Sequence, residues 1–329
     1  MPKKLSEILA PVSAEAIEFN RRFKGQMLST VPLVNLIAKY LIRTKGKQIR
    51  PMLVLLSAAA CGEINDATYR AAILVELLHT ATLVHDDVID EADTRRGFAS
   101  IRSLWRNKAG VLMGDYLLAK GLLLTVETSE YHFLQITSTA VRRMSEGELY
   151  QLQKSRQLNL DEASYYKLIG DKTASLISTC CEIGASSVMS KGENEAQRKI
   201  LREYGEAVGI AFQIRDDLFD YEKNSSIIGK PVGNDLKDKK LTLPLLYTLK
   251  TLEPKEEQRI RKLIKSGKAS EGERKLIMNL VEATGGLDYA RKKAEEFSES
   301  GRKALESLPE SQAKRSLVDF SYYVIEREK

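Results

Sequence analysis

The sequence contains few of the residues that build loops, disulfide frameworks or base-stacking surfaces. Among its 329 residues are 20 Gly, 8 Pro, 3 Cys and 1 Trp, and aromatic residues make up 7%. Low Gly and Pro content argues against a loop-rich β sandwich and against a long disordered region. Three cysteines, of which Cys180 and Cys181 are adjacent, provide no disulfide framework. A reducing, cytoplasmic location is therefore expected.

Long apolar runs are scarce as well. The best candidate, Met52–Ala60, is much shorter than the roughly 20 residues that span a bilayer. The first 20 residues have an amphipathic pattern without the apolar core of a signal peptide. We therefore expect neither a membrane span nor secretion, and at most peripheral contact with a membrane surface.

Acidic residues are fewer than basic residues. Lys and Arg number 51 against 45 Asp and Glu, which gives a net charge of +6. Such a balance suits nucleic acid, an anionic membrane surface or an anionic small substrate. Scattered basic residues and scarce aromatics argue against nucleic-acid binding. Net charge alone does not choose between the other two partners.

Apolar residues repeat with helical spacing along most of the chain. Ile73, Leu74, Leu77, Leu78 and Ala81 recur at intervals of three and four, as on one face of a helix. Similar runs are predicted over Leu33–Arg43, Met52–Ala60, Val111–Glu127, Phe133–Arg156, Glu162–Ile183, Gln197–Asp220 and Lys240–Lys250. We find no credible strand-and-turn pattern, repeat or interdomain linker. The sequence predicts one all-α domain over residues 1–329, with its mid-chain helices inside a bundle.

An acidic pattern occurs twice, each time at the end of an apolar helical run. The two copies are 130 residues apart and consist of Asp86, Asp87 and Asp90, and of Asp216, Asp217 and Asp220. Residues at offsets zero and four share a helix face, and offset one flanks it, so each copy places three carboxylates on one side. Like charges at this spacing repel, and the clusters therefore need a compensating cation.

Magnesium is the cation that this pattern favours. Carboxylate oxygens without nearby thiols suit a hard ion, and Mg²⁺ usually completes its coordination with water and substrate phosphates. Facing clusters therefore predict a diphosphate site. Acidic helix ends that are simply solvated are the alternative, which two matched copies disfavour.

Basic residues lie near both acidic runs. They are Lys47 and Arg50 at a predicted helix start, Arg95 and Arg96 after the first run, Lys172 within a helix, and Lys230 and Lys240 after the second run. Phosphate oxygens require such donors, with Arg binding bidentately and Lys as a point charge. Each residue taken singly also fits a solvated surface position. Their placement beside the acidic helices favours phosphate binding.

Four polar residues on these helices could have either a functional or a purely structural role. His79, seven residues before the first acidic run, and Gln213, three before the second, project towards the aspartate faces. His79 fits either phosphate binding or a hydrogen-bonded core histidine. Glu148 and Gln151, one turn apart, fit either partners that orient an Asp or Lys, or surface residues.

Seven ordered segments together resemble one family, the trans-isoprenyl diphosphate synthases of the polyprenyl synthetase type. These segments are GKQIRP, HTATLVHDDVIDEADTRRG, GDYLLAK, EGELYQ, DKTASL, QIRDDLFD and GKPVGNDLKDKKLTLP. The resemblance covers nearly the whole chain. It implies an antiparallel helical bundle around a deep central cavity (the isoprenoid synthase fold), normally as a homodimer, with the two aspartate motifs facing each other across its mouth.

The resemblance also implies residue roles in joining isopentenyl diphosphate to an allylic diphosphate. Three Mg²⁺ ions would be held by Asp86, Asp87, Asp90, Asp216 and Asp220, with Asp217 and Lys172 completing the catalytic set. The allylic diphosphate would contact Arg95, Lys172, Thr173, Gln213, Lys230 and Lys240. Isopentenyl diphosphate would contact Lys47, Arg50, His79 and Arg96. Two positions depart from the family pattern: Gln48 replaces a common basic residue, and Lys239 replaces a usual glycine.

Mechanism and product length follow from the same resemblance. Ionisation of the allylic diphosphate is followed by attack of the isopentenyl double bond and loss of a proton, without a protein nucleophile. Bulky aromatics just before the first motif stop growth early in this family, whereas Ala81 and Thr82 are small here. Each helical turn rises about 5.4 Å, close to one isoprene unit, so an open shaft suits a long chain of about C30–C50. Such products form quinone side chains.

Three rival functions fit parts of the same sequence pattern. A short-chain farnesyl or geranylgeranyl diphosphate synthase differs only in the shaft. A terpene cyclase or squalene-type synthase shares the acidic motifs, but the basic GKQIRP and TRRG segments favour a second diphosphate substrate. A non-catalytic partner subunit of a heteromeric synthase is the alternative of another class, and two intact acidic motifs argue against it.

Overall fold

A computed structural model describes residues 3–157, 160–189, 195–222, 236, 240–267 and 269–327. Helices dominate these residues, and one short antiparallel strand pair, β1 (Thr94–Arg95) and β2 (Phe98–Ala99), lies between two of them. In chain order the helices are α1 (Leu5–Ile8), α2 (Ser13–Gln26), α3 (Pro32–Arg43), α4 (Ile49–Cys61), α5 (Asp66–Ile89), α6 (Ile101–Glu127), α7 (Tyr131–Gln157), α8 (Glu162–Ile169), α9 (Ser175–Ser187), α10 (Glu195–Phe219), α11 (Leu243–Thr251), α12 (Pro254–Ser266), α13 (Glu271–Ala283), α14 (Gly286–Leu305) and α15 (Gln312–Glu326). The predicted all-α fold class is thereby confirmed.

Several helices begin at residues whose side chains cap them. Asn65 accepts a hydrogen bond from the Thr68 backbone at the start of α5, and Asp161 accepts one from Ser164 at the start of α8. Ser311 caps α15 in the same way. Short polar side chains at these positions satisfy backbone N–H groups that have no partner within the helix.

Helix α9 is the central element of the bundle. Each of its residues from Ser175 to Ser187 is buried, and it packs against α4, α5, α7 and α10. Two buried apolar clusters surround this region, and Phe297 and Ile325 pack against both. The prediction that mid-chain helices are apolar on more than one face and lie inside a bundle is confirmed by α4, α5 and α9.

Two local features differ from the sequence-based expectation. The hairpin of β1 and β2 was not expected, because strands of two residues are too short to show alternating hydrophobicity. The predicted helix over Glu162–Ile183 is interrupted by a π-helical turn, Gly170–Ala174, between α8 and α9. Single π turns inserted into α-helices occur frequently at functional sites.

Helix α6 also departs from the expectation that no segment could cross a bilayer. By length and composition its 27 residues could cross a bilayer. Within the fold, 39% of its most apolar window is buried. The same composition suits a core helix of a soluble protein. One face of α6 packs on α5 through Gly110, Gly114 and Gly121, where a methyl group would collide with α5 side chains.

An ion pair fixes how α5 and α7 lie relative to each other. Arg70, near the start of α5, binds Glu130, directly before α7, at 2.5 Å. The starts of both helices therefore lie at one level of the bundle, and the acidic end of α5 lies at the other. Phe133, fully buried near the start of α7, consequently lies at the opposite end of the bundle from Asp86.

Close helix packing yields a stability prediction at Gly184. A Cβ atom here would meet the backbone oxygen of Val54 on α4, which cannot rotate away. We expect Gly184→Ala to lower the free energy of unfolding by about 1–3 kcal/mol, as overpacking does. Gly25→Ala is the matched control, because nothing lies within 4 Å of its added methyl and the exchange should stabilise α2 by about 0.5–1 kcal/mol. Urea unfolding of both variants measures the difference, and equal stabilities would contradict the packing.

Candidate active site

A cavity of about 410 Å³ lies between α5, the start of α4, the hairpin and the end of α15. It brings together six residues that the sequence predicted for the site: Lys47, Arg50, His79, Asp87, Arg95 and Arg96. Its walls contain both exposed and half-buried cations, so it is suited to an anion that is partly enclosed by protein.

Arg50 and His79 form the inner, half-buried part of the cationic wall. Arg50 Nη1 lies 2.9 Å from His79 Nε2, and because guanidinium only donates, Nε2 is the acceptor and Nδ1 carries the proton. Burial, followed by the charges of Arg50 and Arg96, holds the pKa of His79 well below its ordinary value. His79 is therefore neutral, with an N–H left to donate. It borders the cavity, as expected for phosphate binding, and its role there stays a prediction.

Residues of the first aspartate motif differ in their surroundings. Asp87 is 3% exposed and accepts a hydrogen bond from Arg95 Nε at 2.6 Å. Asp86 is half-buried and Asp90 is exposed at the end of α5. Burial, followed by the charge of Glu148, raises the pKa of Asp86. The like charges therefore make a bound cation favourable at this helix end.

The hairpin places Arg95 and Arg96 on the cavity wall. Arg96 has φ 51° and Gly97 has φ 80°, so the turn uses left-handed backbone at two successive positions. The Arg96 guanidinium lies over Gly46, where any side chain would collide with it. Glycine at position 46 therefore lets the Arg96 guanidinium lie directly against the backbone, and a side chain here would displace it.

The second aspartate motif reaches the same cavity through a C-terminal arginine. Asp216 on α10 forms an ion pair with Arg327, whose guanidinium lies 3.9 Å from the Phe212 ring centroid. Arg327 and Phe212 both line the cavity. The two aspartate motifs therefore border one space, Asp87 directly and Asp216 through Arg327.

Asp217 belongs to a chain of hydrogen bonds behind the site. Its two carboxylate oxygens accept hydrogen bonds from Tyr165 Oη and Gln213 Nε2, each at 2.8 Å. Gln213 Oε1 in turn accepts a hydrogen bond from the Thr173 hydroxyl at 2.9 Å. Gln213 and Thr173 are thereby oriented by Asp217, which is 9% exposed.

Lys172 is held by the two residues whose function the sequence left open. Its ammonium lies 2.6 Å from Glu148 Oε1 and 3.2 Å from Gln151 Oε1. Lys172 and Thr173 occupy the π-helical turn before α9. The charges of both Glu148 and Lys172 act on Asp86, so this group lies beside the first aspartate motif.

The donors around the rim fit a hard divalent cation. They are carboxylates without a neighbouring thiol, which suits Mg²⁺ or Ca²⁺ and not zinc. No three acidic, His or Cys side chains in the described ranges converge closely enough to hold a metal on their own. Water and a bound substrate phosphate usually complete the coordination of Mg²⁺ in proteins.

Several predicted residues lie at the edge of what the structure describes. Lys230 and the unusual Lys239 fall outside the described residues. Lys240 is exposed just before α11, and Asp220 is partly buried just after α10. Their assignments stay predictions.

The helix below the first motif has no aromatic residue along its buried side. Ala81 is fully buried, whereas Thr82 is partly exposed and donates its hydroxyl to the His79 carbonyl at 2.8 Å. Leu74, Leu77 and Leu78 continue the buried face towards the start of α5.

Three residues of the site were not found by sequence reasoning. Glu76 lies one turn before His79 and also lines the cavity. Its spacing of three residues from His79 could have identified it in the sequence. Arg327 is 111 residues from its partner Asp216, and Tyr165 is 52 from Asp217. No local pattern reveals such pairs.

Comparison with known proteins places this geometry in a family. A family model described as polyprenyl synthetase matches residues 31–281. The chain is 37% identical over 322 residues to the all-trans-nonaprenyl-diphosphate synthase (geranyl-diphosphate specific) of Rhodobacter capsulatus, which covers 98% of this chain and 97% of that protein. It is 34% identical to the octaprenyl diphosphate synthase of Escherichia coli K12, with 99% of both chains covered.

A solved structure agrees with the sequence comparisons. The polyprenyl synthase of Caulobacter crescentus CB15, complexed with calcium and isoprenyl diphosphate, superposes with a TM-score of 0.90 at 32% identity, covering 99% of each chain. Family match, full-length relatives and fold agree with one another. The chain belongs to the polyprenyl synthetase family.

Proposed function

We propose that the protein is a prenyltransferase that condenses isopentenyl diphosphate with an allylic diphosphate to give a long-chain all-trans polyprenyl diphosphate and pyrophosphate. The observation that carries this proposal is the cavity in which Arg50, His79 and Arg96 lie beside both aspartate motifs. Full-length similarity to enzymes named for octaprenyl and nonaprenyl products supports the long chain. We further propose a cytoplasmic location and use of the product in quinone side chains.

Magnesium would be held by Asp86, Asp87, Asp90, Asp216 and Asp220, with three ions in the substrate complex. When bound, it would neutralise negative charge that develops on the departing diphosphate. Among the chain's own residues, Lys172 and Arg95 lie beside the first motif and can bind phosphate oxygens there. Preorganised cations of this kind are usually the largest single contribution to catalysis.

The second diphosphate would bind on the opposite wall. Arg50 and the N–H of neutral His79 present donors from the buried side, and Lys47 and Arg96 lie on the exposed side. Holding the two substrates side by side removes much of the entropic barrier to their reaction. The apolar face of α5 below the motif then receives the growing chain.

A direct assay separates this function from its rivals. Labelled isopentenyl diphosphate with farnesyl diphosphate and Mg²⁺ should yield a ladder of longer prenyl diphosphates, and EDTA should abolish it. We expect Asp86→Asn to reduce turnover at least about 10²-fold, because a charge-stabilising group is lost. Asp319→Asn, which only breaks a surface pair with Lys3, is the control. Cyclic hydrocarbon products would indicate a terpene cyclase, and no turnover of any prenyl diphosphate would indicate a non-catalytic subunit.

Product length offers a second test, at the buried face of α5. Ala81→Tyr places an aromatic ring below the motif and should shorten the main product towards the C15–C20 range. The reason is that the ring would block the shaft and remove several helical turns of its depth, at about 5.4 Å per turn. Phe133→Ala, at the far end of the bundle, should lengthen it. Ile17→Tyr, at an exposed position on α2, should change nothing. An unchanged ladder with Ala81→Tyr would refute this position of the shaft.

We propose that the outer face of α6 joins two copies of the chain into a homodimer. Val111, Leu112, Leu122, Leu123 and Val126 are each between 44% and 58% exposed and project within about 120° of one another at 100° per residue. Exposed apolar surface of this extent marks an interaction site. The opposite face is already packed on α5.

The homodimer predicts a change of mass on substitution. Leu112→Glu with Leu123→Glu should convert a dimer into a monomer in size-exclusion chromatography with light scattering, because charge is depleted from buried interface cores. Leu276→Glu, at a similarly exposed position on α13, should leave the dimer intact. A wild-type monomer that partitions into liposomes would instead assign the α6 face to a membrane.

A further inference from the structure

A buried carboxylate faces the cationic cavity without a firm partner. Glu76 is 7% exposed on α5, one turn before His79, and it lines the cavity. Its Oε2 has no hydrogen-bond partner among the described residues, and neither has the buried Nε2 of Gln48. The Gln48 amide faces the carboxylate and lowers its pKa, but in a geometry too poor to satisfy either of the two atoms, which is costly. They indicate that this wall is arranged for a state in which something else is bound.

Charged groups reach Glu76 from several elements. Arg50 faces it from α4, Arg96 from the hairpin, and Lys45 and the amide of Gln48 from the segment before α4. Cys180 on α9 lies near both Glu76 and Arg50, and burial keeps it a neutral thiol. Burial raises the pKa of Glu76 to about 7, against the opposing effect of these cations and of Gln48.

Gln48 makes this balance particular to the present chain. Its backbone is left-handed, with φ 50°, and this turns its side chain into the wall at the start of α4. The neutral amide adds no positive charge beside Glu76. A lysine at this position would add a fourth cation to Arg50, Arg96 and Lys45, and would hold Glu76 fully ionised near pH 7.

We propose that Glu76 is the positioning counter-ion of the isopentenyl diphosphate subsite, and that it takes up one proton from solvent when the diphosphate binds. The proposal rests on the proposed function, since it requires a diphosphate in this cavity. In the free protein the ionised carboxylate offsets part of the positive charge of Arg50 and Arg96. The bound diphosphate takes over this balancing role. An ionised Glu76 would then be a like charge beside the ligand, and accepting a proton on Oε2 removes the repulsion.

The sign of the pH dependence follows from linkage. Binding that raises the pKa of Glu76 from about 7 is coupled to proton uptake above that pH. Affinity for the diphosphate is therefore highest below pH 7 and falls as the pH rises, by up to about tenfold per pH unit for one proton. We expect roughly a tenfold loss of affinity between pH 7 and pH 8.5.

Calorimetry without metal tests this directly. Isopentenyl diphosphate is titrated into the full-length protein at pH 7.5, in buffers of different ionisation enthalpy, and the slope gives the protons taken up. Glu76→Gln should remove most of the uptake seen with wild type and flatten the pH profile, while the ligand's own titration stays common to both. Glu182→Gln is the matched control. Its carboxyl also has a raised pKa caused by burial, but it pairs with Arg198 and Arg202 in a separate cavity.

A second variant keeps the test independent of any instability of Glu76→Gln. Gln48→Lys should leave Glu76 ionised in the free protein, and should move the fall in affinity to lower pH by about one unit. Equal proton uptake by wild type and Glu76→Gln, or an unmoved profile in Gln48→Lys, would overturn the role of Glu76. Absence of any binding by wild type would instead overturn the diphosphate site itself.

Discussion

Repulsion between carboxylates at the ends of two apolar helices is the constraint on which the site depends. Each motif places like charges within one helical turn, where they weaken the helix that carries them. In this structure arginine supplies the compensation: Arg95 binds Asp87, and Arg327 binds Asp216. The helices can therefore hold acidic ends in the free protein, while the same guanidinium groups border the space where a diphosphate would lie.

Much of the fold and part of the site could be predicted from local pattern. Helical periodicity predicted α5, α7 and α10, since a buried face repeats every three to four residues. The β hairpin and the π-helical turn carry no such period and were missed. Lys172 was proposed as a phosphate-binding residue from its basic side chain and from the resemblance. Its partners Glu148 and Gln151 became distinguishable from surface residues only when α7 was placed beside the π turn.

Contacts between distant segments explain what the sequence did not reveal. Arg327 reaches Asp216 because α15 packs back along the bundle, and the faces of Phe212 and Phe219 support its guanidinium. Tyr165 meets Asp217 across a similar separation. Neither pair has a fixed spacing in the sequence, so only the three-dimensional structure could identify them. Glu76 was within reach of spacing arguments, but a lone Glu on an apolar helix is ambiguous without knowledge of its burial.

Depth in the cavity determines which type of charged residue suits each position. A deeply buried ammonium readily loses its proton, whereas guanidinium keeps its charge even where burial lowers its pKa, as at Arg50. Lysine at position 47 lies at the exposed rim of the cavity. Between these levels lies Glu76, where burial outweighs the cationic neighbours and raises the pKa to about 7. Fixed cations and an adjustable carboxylate together would make the wall more positive when a diphosphate enters than when it is empty, which a wall of cations alone could not do.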